Sequence, residues 1–335
     1  MSRIAILGAG AWGTALALSL SRRGGHEIAL YSHSPAHAAE LAATRTNAKY
    51  LPGFALPDSL QITGSVQLAA DNADLLVLVT PSEHLRATML ALAPSLRANH
   101  SILSAAKGLE NVTFMRTSQV IAEVTAACSL HLPIAVLSGP SFAQEVAADM
   151  PTAVTVASKS AAFAQQIQRE FSSSSLRLYT NDDVIGVELG GALKNVIALS
   201  AGIVSGLGLG YNTSAALITR GIAEITRLAI ACGGRPQTLA GLSGMGDLVL
   251  TCTGSLSRNR SAGIELGMGR TLPEVLAGLH GRVAEGIHTT AAALGLARAH
   301  GVEMPITEQM DAILNHGKPP MDAIRDLMSR PGKDE

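Results

Sequence analysis

The chain has 335 residues, of which 47% are hydrophobic and 15% are charged, and its formal net charge is −1. This length accommodates two domains, each with its own core. The charged fraction is well below the usual value of about 25%, so we expect extensive buried surface. Balanced charge and an aromatic content of 3% exclude the basic surface and stacking platforms of nucleic-acid-binding proteins.

Cysteine and histidine usage bears on metal binding and on the compartment. Cys128, Cys232 and Cys252 are odd in number and form no CxxC pair, and the ten histidines form no HExxH motif. Neither a disulfide framework nor a metal site is expected. The opening MSRIAILGAG runs directly into a predicted strand and lacks the apolar core and cleavage site of a signal peptide. We therefore expect a cytoplasmic protein.

The first half alternates short β-rich runs with segments of helical spacing, such as Ser82–Leu92 and Ala161–Phe171. Near-continuous apolar strands separated by helices are typical of a parallel sheet covered on both faces. We predict a doubly wound α/β domain. Its predicted strands are 3–7, 27–31, 75–80, 101–105, 133–137, 152–157 and 176–180.

The second half has a helical pattern from Asp183 to about Met328. We therefore predict an N-terminal sheet domain over residues 1–180 and an all-helical domain over residues 181–335. One uncharged run, Asn195–Thr219, is long enough to raise the question of a membrane span. It contains several serines and glycines, so we expect a buried helix followed by a loop and no membrane span.

The first turn of the chain reads GAGAWG and lies between the predicted strand 3–7 and the helix 14–23. This strand–turn–helix context is typical of a dinucleotide-binding turn. Gly8 permits the tight turn, Gly10 lets a pyrophosphate approach the backbone, and Gly13 allows close packing of helix and strand. The helix N-terminus then faces the phosphates. A purely structural glycine turn is the alternative.

The loop after the second predicted strand reads Tyr31-Ser32-His33-Ser34 and contains no carboxylate. An acidic residue is expected at this place when the ribose 2′-hydroxyl is bound. The polar site at Ser32 and His33 tolerates a 2′-phosphate, so we predict that NADPH is accepted at least as well as NADH. A capped turn before the helix at Pro35 explains the same residues equally well.

Two further loops follow predicted strands of the sheet. The first, SAAKGLE, offers Lys107, and the second, SGPSFAQEVA, offers Gly139, Ser141 and the backbone N–H groups of a helix start. Ligands of doubly wound sheets bind outside the carboxyl ends of the strands. These residues are therefore candidate ligand contacts.

The helical half contains the segment TCTGSLSRNRSAG. Ser257 has the character of an N-cap, and Arg258 beside it suits a bound phosphate. Asn259 and Arg260 complete the SRNR group. Taken alone, this group is more often a solvated helix start than a ligand site.

The apolar stretch ELGGALKNVIALSAGI places Lys194 among small and apolar neighbours. A buried lysine is costly unless it is paired or has a chemical role. Gly190 and Gly191 lie four and three residues earlier on the same helix face, so either close packing or an approaching ligand explains the pair. The alternative is a structural lysine paired with Glu188 or Asp247.

Together these motifs resemble the bacterial NAD(P)-dependent glycerol-3-phosphate dehydrogenases over residues 3 to about 318. The resemblance implies a Rossmann-type domain followed by a helical domain. It also implies reversible hydride transfer between NAD(P)H and dihydroxyacetone phosphate, which gives sn-glycerol 3-phosphate for glycerophospholipid synthesis. The motifs that carry it are GAGAWGTALA, AAKGLE, SGPSFAQEV, ELGGALKNVIA, GLSGMGDLVLTCTGSLSRNR, VAEG and GVEMPITE.

Site roles follow from the resemblance position by position. Lys194 matches the proton-transferring lysine, and Lys107, Asn195 and Asp247 complete the implied catalytic group. Ser141 stands where relatives often have threonine, so the hydroxyl is retained. The implied substrate contacts are Lys107, Gly139, Ser141, Lys194, Asp247, Ser257, Arg258 and Asn259. The implied cofactor contacts, beside the glycine turn, are Ala11, Trp12, His33, Lys107, Ala143, Arg258, Val283 and Glu285.

Two rival functions share part of this pattern. A related two-domain NAD(P)-dependent dehydrogenase of hydroxy acids or sugar nucleotides has the same turn, but the SRNR group with two lysines lacks a purpose there. A silent NADP sensor predicts loss of the buried polar residues, whereas Lys107, Lys194, Asn195 and Asp247 are all present. A homodimer is the expected assembly.

Overall fold

A computed structural model describes residues 2–279 and 284–332. The chain divides into two compact units, here called the sheet unit and the helical unit. The division falls inside one helix, between Glu188 and Leu189, a few residues after the predicted boundary at residue 180. The sheet unit comprises Met1–Lys107 and Met115–Glu188, and the helical unit comprises Gly108–Phe114 and Leu189–Glu335.

The strands of the sheet unit match the seven predicted runs, and three further strands lie at Thr46–Asn47, Leu51–Ala55 and Gln61–Thr63. Among the described residues, eight strands form one sheet in the order β10-β9-β8-β7-β6-β1-β2-β5, and β3 pairs with β4 separately. The strands are β1 (Ser2–Leu7), β2 (His26–Tyr31), β3 (Thr46–Asn47), β4 (Leu51–Ala55), β5 (Gln61–Thr63), β6 (Leu75–Leu78), β7 (Ser101–Ser104), β8 (Ile134–Ser138), β9 (Thr152–Ala157) and β10 (Leu176–Asn181).

The sheet is parallel, as predicted, except at one pair, where β8 and β9 run antiparallel. The connection between them contains a single helix of five residues, Ala143–Ala147, about 7 Å long at 1.5 Å per residue. A five-residue strand is about 17 Å long, so this helix is too short to span the length of the strand. The chain therefore does not return to the starting edge of the sheet, as a parallel crossover requires.

Helices cover both faces of the sheet, as predicted, and β1 illustrates why. Ile4 and Ile6 lie in one buried cluster with Leu16, whereas the alternate residues Ala5 and Leu7 lie in a second cluster. All four strand residues are at most 1% exposed, and such burial is the main stabilising term of a core. The helices of this unit are α1 (Ala11–Arg23), α2 (Pro35–Thr44), α3 (Val66–Asp71), α4 (Ser82–Leu92), α5 (Thr117–Ala127), α6 (Ala143–Ala147) and α7 (Ala161–Phe171), with a 3₁₀ turn at Ala93–Ser95.

The second unit is helical in its described residues, as predicted. Segment 108–114 belongs to this unit. The Phe114 ring packs against Gly295, where an added methyl group would lie 2.2 Å from Phe114 Cζ. Its helices are α8 (Val184–Gly206, which begins in the sheet unit), α9 (Tyr211–Ala231), α10 (Pro236–Leu239), α11 (Asp247–Thr253), α12 (Arg258–Gly267), α13 (Leu272–Gly278), α14 (Glu285–Ala299), α15 (Pro305–His316) and α16 (Pro320–Met328), with a π-helical turn at Leu242–Gly246.

Helix α8 is long and apolar enough to cross a membrane by length and composition, with a mean hydropathy of 1.4 over its most apolar 18 residues. Of that window, 94% is buried within the folded chain. Helices that are apolar all round are typical of the core of a large globular protein as well as of a membrane. The predicted buried helix followed by a loop is thus found, with α8 ending at Gly206.

Helices α8 and α12 cross with their backbones in contact. A methyl group on Gly202 would lie 2.1 Å from the Arg260 carbonyl oxygen, and one on Gly263 would lie 2.1 Å from the Leu199 carbonyl oxygen. Gly206 faces the Ile264 carbonyl oxygen in the same way, at 2.3 Å. Small residues spaced four apart on facing helices allow this approach. The crossing fixes the start of α12 against α8.

We expect Gly202→Ala to destabilise the helical unit. The added methyl group collides with the Arg260 carbonyl oxygen, and overpacking of this kind costs about 1–3 kcal/mol. Thermal unfolding should show a lower Tm than the parent protein. The control is Gly278→Ala, whose methyl group meets open space and should leave Tm unchanged or slightly raised. An equal Tm for Gly202→Ala and the parent would contradict the backbone contact.

Candidate active site

The GAGAWG turn lies between β1 and α1, and its three glycines have separate structural reasons. Gly8 has φ +135°, and a methyl group there would lie 3.0 Å from the Val79 carbonyl. A methyl group on Gly13 would lie 1.9 Å from the Gly8 oxygen, whereas one on Gly10 would meet nothing within 4 Å. The space beside Gly10 is therefore open, as the approach of a pyrophosphate requires.

The same turn supplies hydrogen-bond donors that suit a dinucleotide. Gly10 is the N-cap of α1, and Ala11 is its first residue, so the unpaired N–H groups of the helix start lie beside the open space. The indole Nε1 of Trp12 is buried and has no hydrogen-bond partner among the described residues. A buried donor without a partner is costly, which a bound acceptor would relieve. The residues at this turn thus fit a dinucleotide cofactor.

The loop after β2 is a capped turn with one exposed polar residue. Ser34 is the N-cap of α2 and accepts a bond from the His37 backbone N–H at 3.3 Å. Ser32 is buried, and its hydroxyl lies 3.2 Å from His37 Nδ1. His33 is exposed and remains available to a ligand. The structural explanation therefore holds for Ser34, and His33 is the exposed polar side chain of this loop.

The predicted residues of the β7 and β8 loops lie together in the sheet unit. Lys107 Nζ donates to the Gly139 carbonyl oxygen at 2.9 Å and lies 3.4 Å from Ser141 Oγ. Ser141 Oγ also donates to the Gly139 oxygen, at 2.9 Å. Ala143 starts the short α6 just beyond them. The side chains of both loops thus converge at one edge of the sheet.

Lys194 is a buried ammonium in the helical unit. Its Nζ donates to Asp247 Oδ1 at 2.5 Å and to Thr251 Oγ1 at 3.0 Å. The side chains of Lys194 and Asp247 are 8% and 1% exposed. The Thr251 hydroxyl donates to the Asp247 carbonyl oxygen at 2.6 Å, so its lone pair is available to the ammonium. A carboxylate and a hydroxyl therefore hold the lysine in one position.

Cys252 lies in the same part of the core. Burial raises the pKa of its thiol to about 12, although the nearby Lys194 opposes the shift. The thiol is therefore neutral at physiological pH, and a neutral thiol is a poor nucleophile.

Three predicted residues form a second network beside the lysine. Asn259 Nδ2 donates to Asn195 Oδ1 at 2.9 Å, and Asn259 Oδ1 accepts from the Gly286 backbone N–H at 2.9 Å. Asn195 Nδ2 in turn lies 3.4 Å from Glu285 Oε2. The network joins the starts of α12 and α14 to α8. Asn259 uses both ends of its amide within the protein, which indicates a positioning role.

The remaining predicted residues lie at the start of α12, with one exception. Ser257 is the N-cap, as predicted, and its hydroxyl accepts from the Arg260 backbone N–H at 3.2 Å. Arg258 is the first helical residue and is exposed. An exposed guanidinium at a helix N-terminus suits an anion. Val283 lies outside the described residues.

The structure decides two points that the sequence of the lysine stretch left open. Glu188 does not pair with the lysine; its carboxylate caps the start of α5, accepting from Arg116 Nη1, the Ser118 N–H and the hydroxyls of Thr117 and Ser118 at 2.5–2.8 Å. Gly190 is small because a methyl group there would lie 2.6 Å from the Ser243 carbonyl oxygen. This helix face therefore packs against the protein at Gly190 and does not face a ligand there.

Thr251 was missed by the sequence reasoning. It lies four residues after Asp247 on α11, so both side chains share one helix face. The spacing is visible in the sequence, but the role of the hydroxyl depends on Lys194, which lies on another helix.

Family models match both halves of the chain. The model described as NAD-dependent glycerol-3-phosphate dehydrogenase N-terminus matches residues 3–164. The model described as NAD-dependent glycerol-3-phosphate dehydrogenase C-terminus matches residues 183–325. The chain belongs to this family.

Individual relatives agree over the whole length of the chain. The glycerol-3-phosphate dehydrogenase [NAD(P)+] of Acidobacterium capsulatum is 59% identical, with all of both chains covered. That of Koribacter versatilis is 54% identical over 100% of this chain and 99% of its own. The crystal structure of the Coxiella burnetii glycerol-3-phosphate dehydrogenase aligns with a TM-score of 0.94 at 40% identity, covering 98% of this chain and 99% of that chain.

A reductase of another substrate class shares only the fold. The ketopantoate reductase of Ralstonia eutropha aligns with a TM-score of 0.61 at 19% identity, over 96% of this chain and 99% of that chain. The comparisons therefore support membership of the glycerol-3-phosphate dehydrogenase family and not the rival dehydrogenases.

We expect Gly10→Ala to separate binding from folding. Its methyl group enters open space and costs less than about 1 kcal/mol of stability as an N-cap change. The same methyl group blocks the backbone approach of a pyrophosphate, so the Kd for NADPH should rise about tenfold or more. Tm of the cofactor-free protein and titration of Trp12 fluorescence measure the two effects. Gly13→Ala should instead lower Tm, and unchanged NADPH affinity in Gly10→Ala would contradict the assignment.

Proposed function

We propose that this protein catalyses the reversible reduction of dihydroxyacetone phosphate to sn-glycerol 3-phosphate with NADPH or NADH, supplying glycerophospholipid synthesis. The observation that carries the proposal is the buried Lys194 held by Asp247 and Thr251. It occurs in a chain whose full-length relatives at 54% and 59% identity are named glycerol-3-phosphate dehydrogenase [NAD(P)+].

The two proposed domains have different roles. Residues 1–180 form the dinucleotide-binding domain, and residues 181–335 form the helical domain that binds substrate and carries out proton transfer. The open space at Gly10 supports the first assignment. The buried lysine and the exposed arginine at the start of α12 support the second.

The cofactor supplies the hydride when it is bound. The glycine turn and the start of α1 bind its phosphates, and the Trp12 indole offers a donor. His33 contacts the 2′ position, where the absence of a carboxylate lets NADPH bind at least as well as NADH. The further proposed cofactor contacts are Ala11, Lys107, Ala143, Arg258, Val283 and Glu285.

Lys194 moves the proton. As the ketone is reduced, the developing alkoxide needs a proton, and an adjacent ammonium both stabilises the charge and donates. Asp247 and Thr251 orient that ammonium. In the oxidative direction the neutral amine accepts the proton.

The remaining site residues bind and position the substrate. Ser257 and Arg258 hold the phosphate at the start of α12, where backbone N–H groups favour an anion. Asn195 and Asn259 keep that helix start in place through their mutual bond. The loop residues of the sheet unit that complete the proposed substrate contacts are Lys107, Gly139 and Ser141.

The proposal includes the expected assembly and compartment. The low charged fraction of 15% supports a homodimer, because subunit contacts bury apolar surface. Cytoplasmic location accords with cysteines that form no disulfide framework. Sedimentation of the purified protein at two concentrations measures the assembly, and a monomer at both would contradict the homodimer.

The decisive assay is oxidation of NADPH in the presence of dihydroxyacetone phosphate. We expect turnover of this ketone with NADPH and also when NADH replaces it. We expect no comparable rate with 2-keto acids or with sugar nucleotides. A silent sensor would bind NADPH without turning over any of these substrates. Turnover of a keto acid but not of dihydroxyacetone phosphate would replace the proposal by the rival dehydrogenase.

We expect Lys194→Ala to fold and bind NADPH but to lose about 10²–10⁴-fold in kcat, the usual worth of a positioned acid–base group. Lys194→Arg should not restore the rate, because a guanidinium keeps its proton near neutral pH. Stopped-flow fluorescence for cofactor binding, beside steady-state rates, makes the measurement. A folded Lys194→Ala enzyme with the parent kcat would return this residue to a structural role.

We expect Arg258→Ala to raise the KM for dihydroxyacetone phosphate about tenfold or more, because a charge-assisted contact to phosphate is lost. The penalty with unphosphorylated dihydroxyacetone should be much smaller. The matched control is Arg260→Ala, since the Arg260 guanidinium bonds Ser205 Oγ at 3.3 Å. Equal losses with both ketones would remove the phosphate role of Arg258.

A further inference from the structure

Asn47 is a fully buried polar residue, at 0% exposure, that none of the sequence motifs includes. It lies in β3, whose two-stranded pairing with β4 is separate from the main sheet. Its Nδ2 donates to the Ala9 carbonyl oxygen at 3.0 Å and to Thr14 Oγ1 at 2.8 Å. Ala9 is inside the GAGAWG turn and Thr14 follows it. The buried side-chain amide of Asn47 is therefore hydrogen-bonded to the glycine turn although it belongs to a different segment of the chain.

The other end of the same amide reaches the loop after β2. Asn47 Oδ1 accepts from the Tyr50 backbone N–H at 3.3 Å and lies 3.3 Å from His37 Nε2. His37 Nδ1 lies 3.2 Å from the buried Ser32 hydroxyl. Ser32 directly follows β2, next to β1 in the sheet. A continuous chain of side chains thus runs from the glycine turn to the loop that carries His33.

Backbone partners fix the orientation of this amide. The Ala9 carbonyl can only accept and the Tyr50 N–H can only donate, so Nδ2 must face Ala9 and Oδ1 must face Tyr50. His37 Nε2 then carries the proton that bonds Asn47. Each polar end has a partner, and a buried network that is fully bonded makes its members rigid.

We propose that Asn47 is a positioning residue for the cofactor: its side-chain amide sets the distance between the pyrophosphate-binding turn and the ribose-binding loop. This inference rests on the proposed use of a dinucleotide, because the two joined loops are those assigned to its phosphates and to its 2′ position. Asn47 touches the cofactor only through them. Its removal therefore weakens cofactor binding and leaves proton transfer at Lys194 in place.

The test measures NADPH binding directly, without turnover. Trp12 is the one tryptophan in the sequence and lies in the glycine turn, so quenching of its fluorescence reports occupancy of this site. For Asn47→Ala we expect an NADPH Kd about tenfold higher than in the parent, as expected for loss of a buried hydrogen-bond partner. The loss should appear in the KM for NADPH and not in kcat at saturating cofactor.

The matched control is Ser158→Ala. Ser158 is also buried in the sheet unit, and its hydroxyl donates to the Ile134 carbonyl oxygen at 2.7 Å. Ile134 begins β8, so this bond lies at the edge of the sheet opposite the glycine turn. A buried bond is lost in both variants, but only Asn47→Ala should change the NADPH Kd. An Asn47→Ala protein that is folded and binds NADPH within about twofold of the parent overturns the proposal.

A second pair of variants decides the question if Asn47→Ala does not fold. Thr14→Val has the parent shape without the hydroxyl acceptor, and Thr14→Ser retains the acceptor. We expect a higher Kd for NADPH in Thr14→Val and recovery in Thr14→Ser, and equal values in the two variants overturn the proposal. Failure of the proposed function would differ from both results, since the parent itself would then bind no NADPH or reduce no dihydroxyacetone phosphate.

Discussion

The buried ion pair of Lys194 and Asp247 is the constraint on which the proposed site of the helical unit depends. Removing two charges from water costs several kcal/mol per ion, and the pair is 8% and 1% exposed at its side chains. Such a pair persists only where geometry and extra hydrogen bonds offset that cost. The hydrogen bond that Lys194 donates to the Thr251 hydroxyl supplies one of these, and the close approach of α8 to the segment before α11 supplies the geometry. Gly190 permits that approach, because any side chain there would meet the Ser243 carbonyl oxygen.

Helix α8 also carries the contacts that place the proposed phosphate site. Its Asn195 bonds Asn259 at the start of α12. About two and three turns later, Gly202 and Gly206 bring the two helix backbones into contact. The amide bond and the glycine crossing therefore fix the position and direction of α12 relative to Lys194. An arginine at the first residue of α12 is then held at a defined place with respect to the ammonium, as the proposed binding of a small phosphorylated ketone requires.

Local patterns predicted much of this structure. The bounds of β9, α4 and α7 follow from hydrophobic periodicity, and the glycine turn and the Ser257 cap follow from residue types at fixed spacings. These features depend on neighbours within a few residues, which the sequence displays directly.

Features that depend on distant partners were not predictable in the same way. The reversal of β9 depends on how far a short connection reaches, and the roles of Gly190 and Asn47 depend on residues 53 and 38 positions away. The lysine stretch illustrates the limit most clearly. Its sequence admitted Glu188 or Asp247 as the partner, and only the fold shows that Glu188 caps α5 while Asp247 holds the lysine.

The pH dependence of kcat for ketone reduction tests the central role of this pair most directly, when the parent is compared with Asp247→Asn. In the proposed mechanism reduction requires the protonated lysine, so kcat falls as pH rises and the lysine loses its proton. Asparagine retains a hydrogen-bond acceptor but removes the negative charge that favours the ammonium, so a less alkaline pH removes the proton. The alkaline fall in kcat should move to lower pH by about one unit or more. An alkaline limb at the same pH in both enzymes would contradict proton transfer by a lysine whose charge Asp247 stabilises.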